Sequence, residues 1–576
     1  MQLAARCGGR DSQAQSLVNG AGAKDLAPQA GGDIVGAVLT PKWRKILSRW
    51  LCLLAWVFGQ TNSIANLKAA GSVLQTGAAT TQVVTTSYDA LNRPVAIVDD
   101  NATAAADDKT TSYGYDLAGR AVRLVNGIGQ RTENTYDDAG RLKRRQVFGA
   151  AGAQMVEFNW NYDEKGHMVW QQEVWTKPGA RTRTTSLVYD HMNRLALETV
   201  VEAAGTNSGT WQTGYTYDAA SNRKTKSVSY SGTPALAATE TQQRMGYWQY
   251  NYNAGNQLIS WTKKTGLNGT VQRSVTLEYD GYGNRKKQVI VNTGISNSDS
   301  LRAGTTNYFW DGQDRLAQAT FGGETFKWQY DYRTRRIGLT SPAVTGTAAG
   351  VATDQPGVAL GHVAFIFSGG LSVAEHQRTA ELTPLDATAD VAFVRGPDMG
   401  GGVGGLLYSK RGGVFKYDVS NGRGDIVAQS NPGLANGAND FTWAASYETA
   451  GKRAKTTGTG TNADRQRGNS KDEETRLGLL NEGFRYRDTE TMVWLSRDPA
   501  GFVDGPNLYA YVRQNPWSKF DPKGLAEKNT ATPAQAAPSS LNRRHSMPPK
   551  GPAIRLRHLL PLKWHWRSPH KKLRTK

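Results

Sequence analysis

Cysteine is almost missing from this 576-residue chain: Cys7 and Cys52 are the only two, both near the N-terminus. Everything after Cys52 can therefore hold no disulfide framework and no thiolate zinc site. Apolar residues are scarce, at 38%, below the share of an ordinary globular domain. The apolar run at 50–58 is too short to span a bilayer. None of the eight histidines (His167, His191, His362, His376, His545, His558, His565 and His570) lies in an HExxH or Cys/His zinc pattern, and no Gly-x-Ser-x-Gly elbow is present. The glycine-rich run 399–405 lacks the Gly-Lys-Ser/Thr ending that would hold phosphate and magnesium, so it reads as a loop in a strand-rich region. No metal and no cofactor are expected.

Glycine, tyrosine and tryptophan are plentiful, at 63, 23 and 16 residues. That mixture favours strands joined by tight turns over helical bundles. The length allows several domains or one very large β architecture. The net charge of +20 is uneven: residues 526–576 carry twelve Lys/Arg against one acid, Glu527. The basic character is thus concentrated in a tail and is not spread over a nucleic-acid-binding face.

The leader, 1–40, is Gly/Ala/Gln-rich and reads as disordered. In 41–65, Lys42, Arg44, Lys45 and Arg49 precede the apolar run, and Ser63-Ile64-Ala65 follows as a small-x-small site. This resembles a secretory signal peptide, although the leader is long for an n-region. The alternative is a short amphipathic or buried segment. The expected location is secreted or at the cell surface.

From about residue 85 one phrase recurs: Tyr-Asp, two loose positions, Gly or Asn, then usually Arg. It appears as Tyr88-Asp89 with Asn92-Arg93, Tyr115-Asp116 with Gly119-Arg120, and Tyr136-Asp137 with Gly140-Arg141. Tyr162-Asp163 with Gly166-His167 and Tyr189-Asp190 with Asn193-Arg194 follow. Tyr217-Asp218 with Asn222-Arg223 and Tyr279-Asp280 with Asn284-Arg285 read as carrying one extra residue. Weaker copies sit at Tyr252-Asn253, Trp310-Asp311 and Tyr330-Asp331. Tyr ends a strand, and the Asp carboxylate binds turn N–H groups. Gly or Asn takes a positive φ, and Arg opens the return strand close enough to pair with the Asp. Each phrase is a candidate β-hairpin. Hairpins must stack to bury their apolar faces, so the expected fold is all-β, a coiled array closing into a full or partial shell.

The phrases resemble the YD repeats of the RHS (rearrangement hot spot) family. The stretch 485–525, RYRDTETMVWLSRDPAGFVDGPNLYAYVRQNPWSKFDPKGL, resembles that family's core-associated domain. The match rests on Arg485-Tyr486, Asp498-Pro499, Asn507-Leu508-Tyr509, Asn515-Pro516 and Asp521-Pro522-Lys523-Gly524-Leu525. Arg487, Thr489 and Met492 depart from it, the last where Gly is usual. The resemblance divides the chain into a repeat array at 85–395, a core domain at 396–525 and a variable tail at 526–576. Within the core, the polar segment 462–474 reads as a flexible loop.

Taken alone, Asp498 and Asp521 are two Asp-Pro pairs that set turns, or two carboxylates that share a proton and work as acid and base on a water. The resemblance implies the second: in encapsulating RHS proteins the positions matching Arg485, Asp498 and Asp521 form an intramolecular aspartyl protease. Its cut would fall at Leu525–Ala526, with Arg485 orienting or tuning a carboxylate. It further implies a polymorphic toxin whose tail is the cargo, with a cognate immunity protein and secretion machinery as partners. The tail's Arg543-Arg544-His545, Arg555-Leu556-Arg557 and Lys563-Trp564-His565-Trp566-Arg567 suit nucleic acid or an anionic membrane; a solvated, disordered tail is the plain alternative. The rival functions are a non-enzymatic surface protein binding carbohydrate or another cell, and a degenerate remnant.

Overall fold

The computed structural model describes residues 69–529, apart from 77–78, 101–108, 206, 234–242, 296–300, 343–360, 369, 382–384, 387–388, 398–404, 431–440, 459–461 and 463. The leader, the signal-peptide-like segment, nearly all of the glycine-rich run and the tail beyond 529 lie outside the described residues. The chain divides into two compact units, 1–536 and 537–576, the second wholly outside them.

The protein is all-β, as the stacked-hairpin reading requires. Twenty-nine strands form one sheet. Each pairs antiparallel with the next in the chain, from Ala69–Thr76 with Ala79–Tyr88 to Phe441–Tyr447 with Arg453–Gly458. Among the described residues no pairing joins the first strand to the last, so the sheet is a curl and not a closed barrel. The sheet continues through the 395/396 boundary, where Val391–Gly396 pairs with Gly405–Arg411.

The Tyr-Asp turns all lie on one edge of this meander, and their geometry repeats. Asp89 Oδ1 accepts from the N–H groups of Leu91 and Arg93, both at 2.9 Å, and Oδ2 accepts from Arg93 Nε at 2.7 Å. Asn92, Gly119, Gly140, Gly166 and Asn193 all take a positive φ, between 59° and 86°. Each turn is also wired to the next. The Tyr115 hydroxyl donates to Pro94 O at 2.6 Å, Tyr136 to Ala121 O at 2.8 Å and Tyr217 to Leu195 O at 2.6 Å. In several repeats the guanidinium lies over the following Tyr ring, Arg93 on Tyr115 at 4.6 Å and Arg194 on Tyr217 at 4.7 Å. It also donates forward, Arg194 Nη1 to Asp218 O at 2.7 Å. The register slips at each of these tyrosines, as between Val188 and Tyr189, where a β-bulge sits on the return strand. Bulges bend and twist the strands that carry them, and their repetition on one edge makes the sheet curl.

Two turns correct the sequence reading. Tyr217-Asp218 and Tyr279-Asp280 carry no extra residue. Ser221 and Gly283 take the positive φ, and Asn222 and Asn284 replace the arginine, binding Asp218 Oδ1 and Asp280 Oδ1 through their N–H groups at 2.8 Å. Arg223 and Arg285 then fall one position later. Side chains alternate faces along a strand, so these two point inward and are 3% and 0% exposed.

The curl brings the early and late strands face to face. Phe158, Trp160 and Trp175 pack with Phe441 and Trp443, and Tyr113 packs with Val394, Tyr408 and Tyr417. The strands between line the core segment beyond 461: Trp248 and Trp261 meet Val493 and Tyr509, and Phe326 and Trp328 meet Leu479, Tyr486 and Leu495. The expectation of a flexible loop at 462–474 fails. Asp464, Gln466 and Arg467 are nearly fully buried, and 472–474 is a strand of a small three-stranded sheet. Their polarity is matched inside: Asp464 accepts from Ser409 Oγ at 2.6 Å, and Arg467 Nη2 donates to Asn462 O at 2.9 Å.

Candidate active site

The core segment is seated on the repeats by polar contacts that step along the turn edge in reverse order. Arg336 donates to Asp472 and Glu474, both at 2.5 Å. Arg285 Nη1 pairs with Asp488 Oδ2 at 2.8 Å, and its backbone N–H reaches Leu495 O. Tyr509 Oη donates to Gly283 O at 2.8 Å, Asn507 Nδ2 to Ala220 O at 2.9 Å and Asn515 Nδ2 to Asn193 O at 3.0 Å. Ser518 Oγ accepts from the Met168 N–H at 2.9 Å. The side chains that make the Asn-Leu-Tyr and Asn-Pro motifs recognisable are those that read the turns.

This seating brings Arg485, Asp498 and Asp521 together. Arg485 Nη2 lies 2.8 Å from Asp498 Oδ2 and 3.2 Å from Asp521 Oδ2, so one guanidinium nitrogen bridges both carboxylates. All three side chains are buried. The guanidinium stacks on Trp494 at 3.9 Å, which fixes its plane. Its Nε donates to Gly524 O at 2.6 Å, so Arg485 grips the peptide that leads to Leu525 as well as the acids. Gly524 has φ +72°, and a Cβ there would sit 3.0 Å from the Arg485 backbone nitrogen, so a side chain would be both strained and crowded. Asp521 Oδ1 accepts from the Leu525 N–H at 3.0 Å. Asp498 Oδ1 accepts from the Ala500 N–H at 2.8 Å.

Burial pushes the Asp498 carboxyl above its ordinary value, and the Asp521 carboxylate adds to the rise; Arg485 and the Ala500 N–H oppose it. Burial also draws Arg485 below its ordinary value, against both acids. Two buried carboxylates on one cation form an arrangement that can hold one proton and exchange it with a water.

Several residues here escaped the sequence reading. Lys471 Nζ donates to Pro522 O at 2.5 Å. Asp504 Oδ2 accepts from the Glu527 N–H at 3.0 Å. Burial raises the Asp504 carboxyl, with Glu527, Asp521 and Asp498 adding to the rise and the Glu527 N–H opposing it. Met492 takes φ +60°, a conformation that favours Gly, and its buried side chain packs with Trp494 and Tyr511. Arg487, another departure, is buried on Glu482 at 2.8 Å. Among the described residues no cluster of three His, Cys, Asp or Glu side chains is placed to hold a metal. The aromatic side chains that a carbohydrate-binding surface would use are largely inside, with Tyr282 and Tyr332 among the exposed ones.

No family model matches the chain. It is 47% identical over 64 residues to the toxin subunit YenC1 of Yersinia entomophaga, covering 11% of this chain and 7% of the relative. It is 52% identical over 54 residues to the toxin subunit YenC2 of the same organism, covering 9% and 6%. It is 27% identical over 311 residues to the tRNA3(Ser)-specific nuclease WapA of Bacillus spizizenii, covering 47% and 12%. The chain thus spans between 6% and 12% of the length of these curated relatives. Among solved structures, TcdB2-TccC3 without its hypervariable C-terminal region aligns over 80% of this chain and 25% of its own, at 16% identity and a TM-score of 0.41. Stretches of this chain are thus similar to parts of two toxin subunits and of a tRNA-specific nuclease.

Proposed function

We propose that the chain is an exported, toxin-related RHS-repeat protein that carries its C-terminal segment as cargo and severs it by intramolecular aspartyl proteolysis at Leu525–Ala526. One observation carries the reading: Asp498 and Asp521 meet on Arg485, while Arg485 Nε and Asp521 Oδ1 hold the two residues before the bond. A water attacks the Leu525 carbonyl as one carboxylate takes its proton, and the other acid protonates the Ala526 nitrogen as the C–N bond breaks. The products are a Leu525 carboxylate and an Ala526 amine. Similarity to toxin subunits and to a tRNA nuclease supports a cargo that acts on another cell. Secretion machinery and a cognate immunity protein are the partners this entails. The basic tail suits nucleic acid or an anionic membrane.

Mass spectrometry of the purified full chain tests the proposal. The parent yields a fragment ending at Leu525; Asp498→Asn and Asp521→Asn slow its appearance by about 10²–10⁴-fold, the range for a lost acid or base. An intact parent overturns the cleavage reading and favours a non-enzymatic surface protein or a remnant.

A further inference from the structure

The proposed scissile bond is gripped on both sides, by different residues. Upstream, Phe484 N–H donates to Lys523 O at 2.9 Å, and Arg485 and Asp521 hold Gly524 and Leu525. Downstream, none of the three proposed catalytic side chains makes the grip. Asp504 Oδ2 takes the Glu527 N–H at 3.0 Å. The Glu527 carboxylate pairs with Lys519 Nζ at 2.6 Å and lies 3.3 Å from Arg513 Nε, which also donates to Asp504 O at 2.8 Å. Phe520 and Lys519 then pair antiparallel with Lys528 and Asn529. The arginine reaches both partners from a backbone run, 512–514, that holds φ at 40°, 50° and 62° without a glycine. Such a run is unfavourable for side-chain-bearing residues and persists only where its surroundings enforce it.

We propose that Asp504, Arg513 and Lys519 form a retention clamp for the segment that begins at Ala526, so that cutting the bond does not by itself free the cargo. The placing of the cut rests on the cleavage reading above; the clamp is present in the uncut chain as well. Two residue pairs of antiparallel strand hold little by themselves. The clamp adds an ion pair whose acid is largely buried, Glu527 being 12% exposed, and a charge-assisted hydrogen bond. Hydrolysis adds one more attraction: the new Ala526 ammonium forms one residue from the N–H that Asp504 already binds. Cleavage and release then become separate steps, and release requires loss of the clamp.

Two measurements on the full chain test this. In the uncleaved Asp498→Asn background, hydrogen exchange is followed on peptides spanning 522–530. Asp504→Ala is expected to speed exchange at the Glu527 amide by more than about tenfold, as for a site moved to local opening, while Asp504→Asn, which keeps an acceptor oxygen, restores protection. In the cleavable chain, the two fragments are expected to co-elute in size exclusion, and Arg513→Glu with Lys519→Glu to separate them while the cut still forms. Unchanged exchange in Asp504→Ala, or co-elution that survives the double charge reversal, overturns the clamp. A parent that stays intact counts against the cleavage reading alone, because the exchange experiment needs no cut.

Discussion

Tyr136 carries a hydrogen bond from its own repeat back to the carbonyl of Ala121, and its ring receives Arg120 from the repeat before. A turn residue thus acts beyond its turn. Tyr136→Phe keeps the ring and removes the bond; it is expected to cost about 1 kcal/mol, read as a shifted denaturation midpoint with an unchanged slope. At the candidate site the same scale sets a pH dependence. Burial and Asp521 hold Asp498 protonated to higher pH than an ordinary aspartate. In the proposed cleavage, the proton that would go to the leaving nitrogen is therefore kept in acid and lost as pH rises through the elevated value. The first-order rate of fragment formation is expected to be higher at mildly acidic than at alkaline pH; a rate that climbs steadily with pH excludes the shared-proton pair. The trio Arg485, Asp498 and Asp521 was legible only through the resemblance of 485–525 to a core-associated domain, because the two Asp-Pro pairs alone also read as turns. Asp504 was not, because six residues after Asp498, in a Val-Asp-Gly context, it looks like any turn aspartate, and its partner Glu527 lies beyond the Gly-Leu that closes the motif.

At the scale of elements, inward-pointing arginines lock the core segment to the array. Arg285 is fully buried and meets Asp488 at 2.8 Å. Arg285→Met leaves the Asp488 carboxylate buried without its cation and is expected to destabilise by about 3–5 kcal/mol. Adding Asp488→Asn removes the stranded charge, keeps the oxygen that caps the Glu490 and Thr491 N–H groups, and is expected to recover much of the loss in denaturant unfolding. The phrase predicted that these arginines would pair with their turn aspartates. The phrase places them one position early, because it reads Asn222 and Asn284 as the positive-φ residue when they stand in for the arginine. A one-residue error in a strand exchanges the faces, and here the exchange is between a surface ion pair and an anchor of the core segment. The 462–474 segment went astray for a related reason: charge density reads as exposure unless the matching charges, here on distant strands, are known.

For the whole molecule, the repeated turn acids make stability depend on pH in one direction. At Asp89, Asp116, Asp137, Asp190, Asp311 and Asp331 burial favours the neutral acid, but the Arg partner and two or more N–H groups outweigh it and hold the carboxyl below the ordinary aspartate value of 3.8. The unfolded chain then binds protons that the folded chain refuses. This stabilisation is present above the ordinary value and is lost as pH falls through the depressed one. The thermal midpoint is expected to drop steeply below about pH 4 and to change far less between about pH 5 and 7. Replacing Asp137 and Asp190 together by Asn should shallow that drop, since Asn keeps an oxygen for the turn N–H groups but neither titrates nor accepts from the arginine guanidinium.

The sequence by itself determined the all-β class, the hairpin unit and its repeat, because a turn is a local object: Tyr, Asp, a positive-φ residue and Arg interact within six positions. Through the resemblance of 485–525 to a core-associated domain it also marked Arg485, Asp498 and Asp521 as a set. Only the tertiary structure decided how far the sheet curls, that early strands face late ones, which arginines turn inward, and that Asp504, Arg513 and Lys519 gather beside the exit peptide. Those outcomes depend on bulges accumulated over twenty-nine strands and on burial of matched polar groups hundreds of residues apart. No local pattern encodes either.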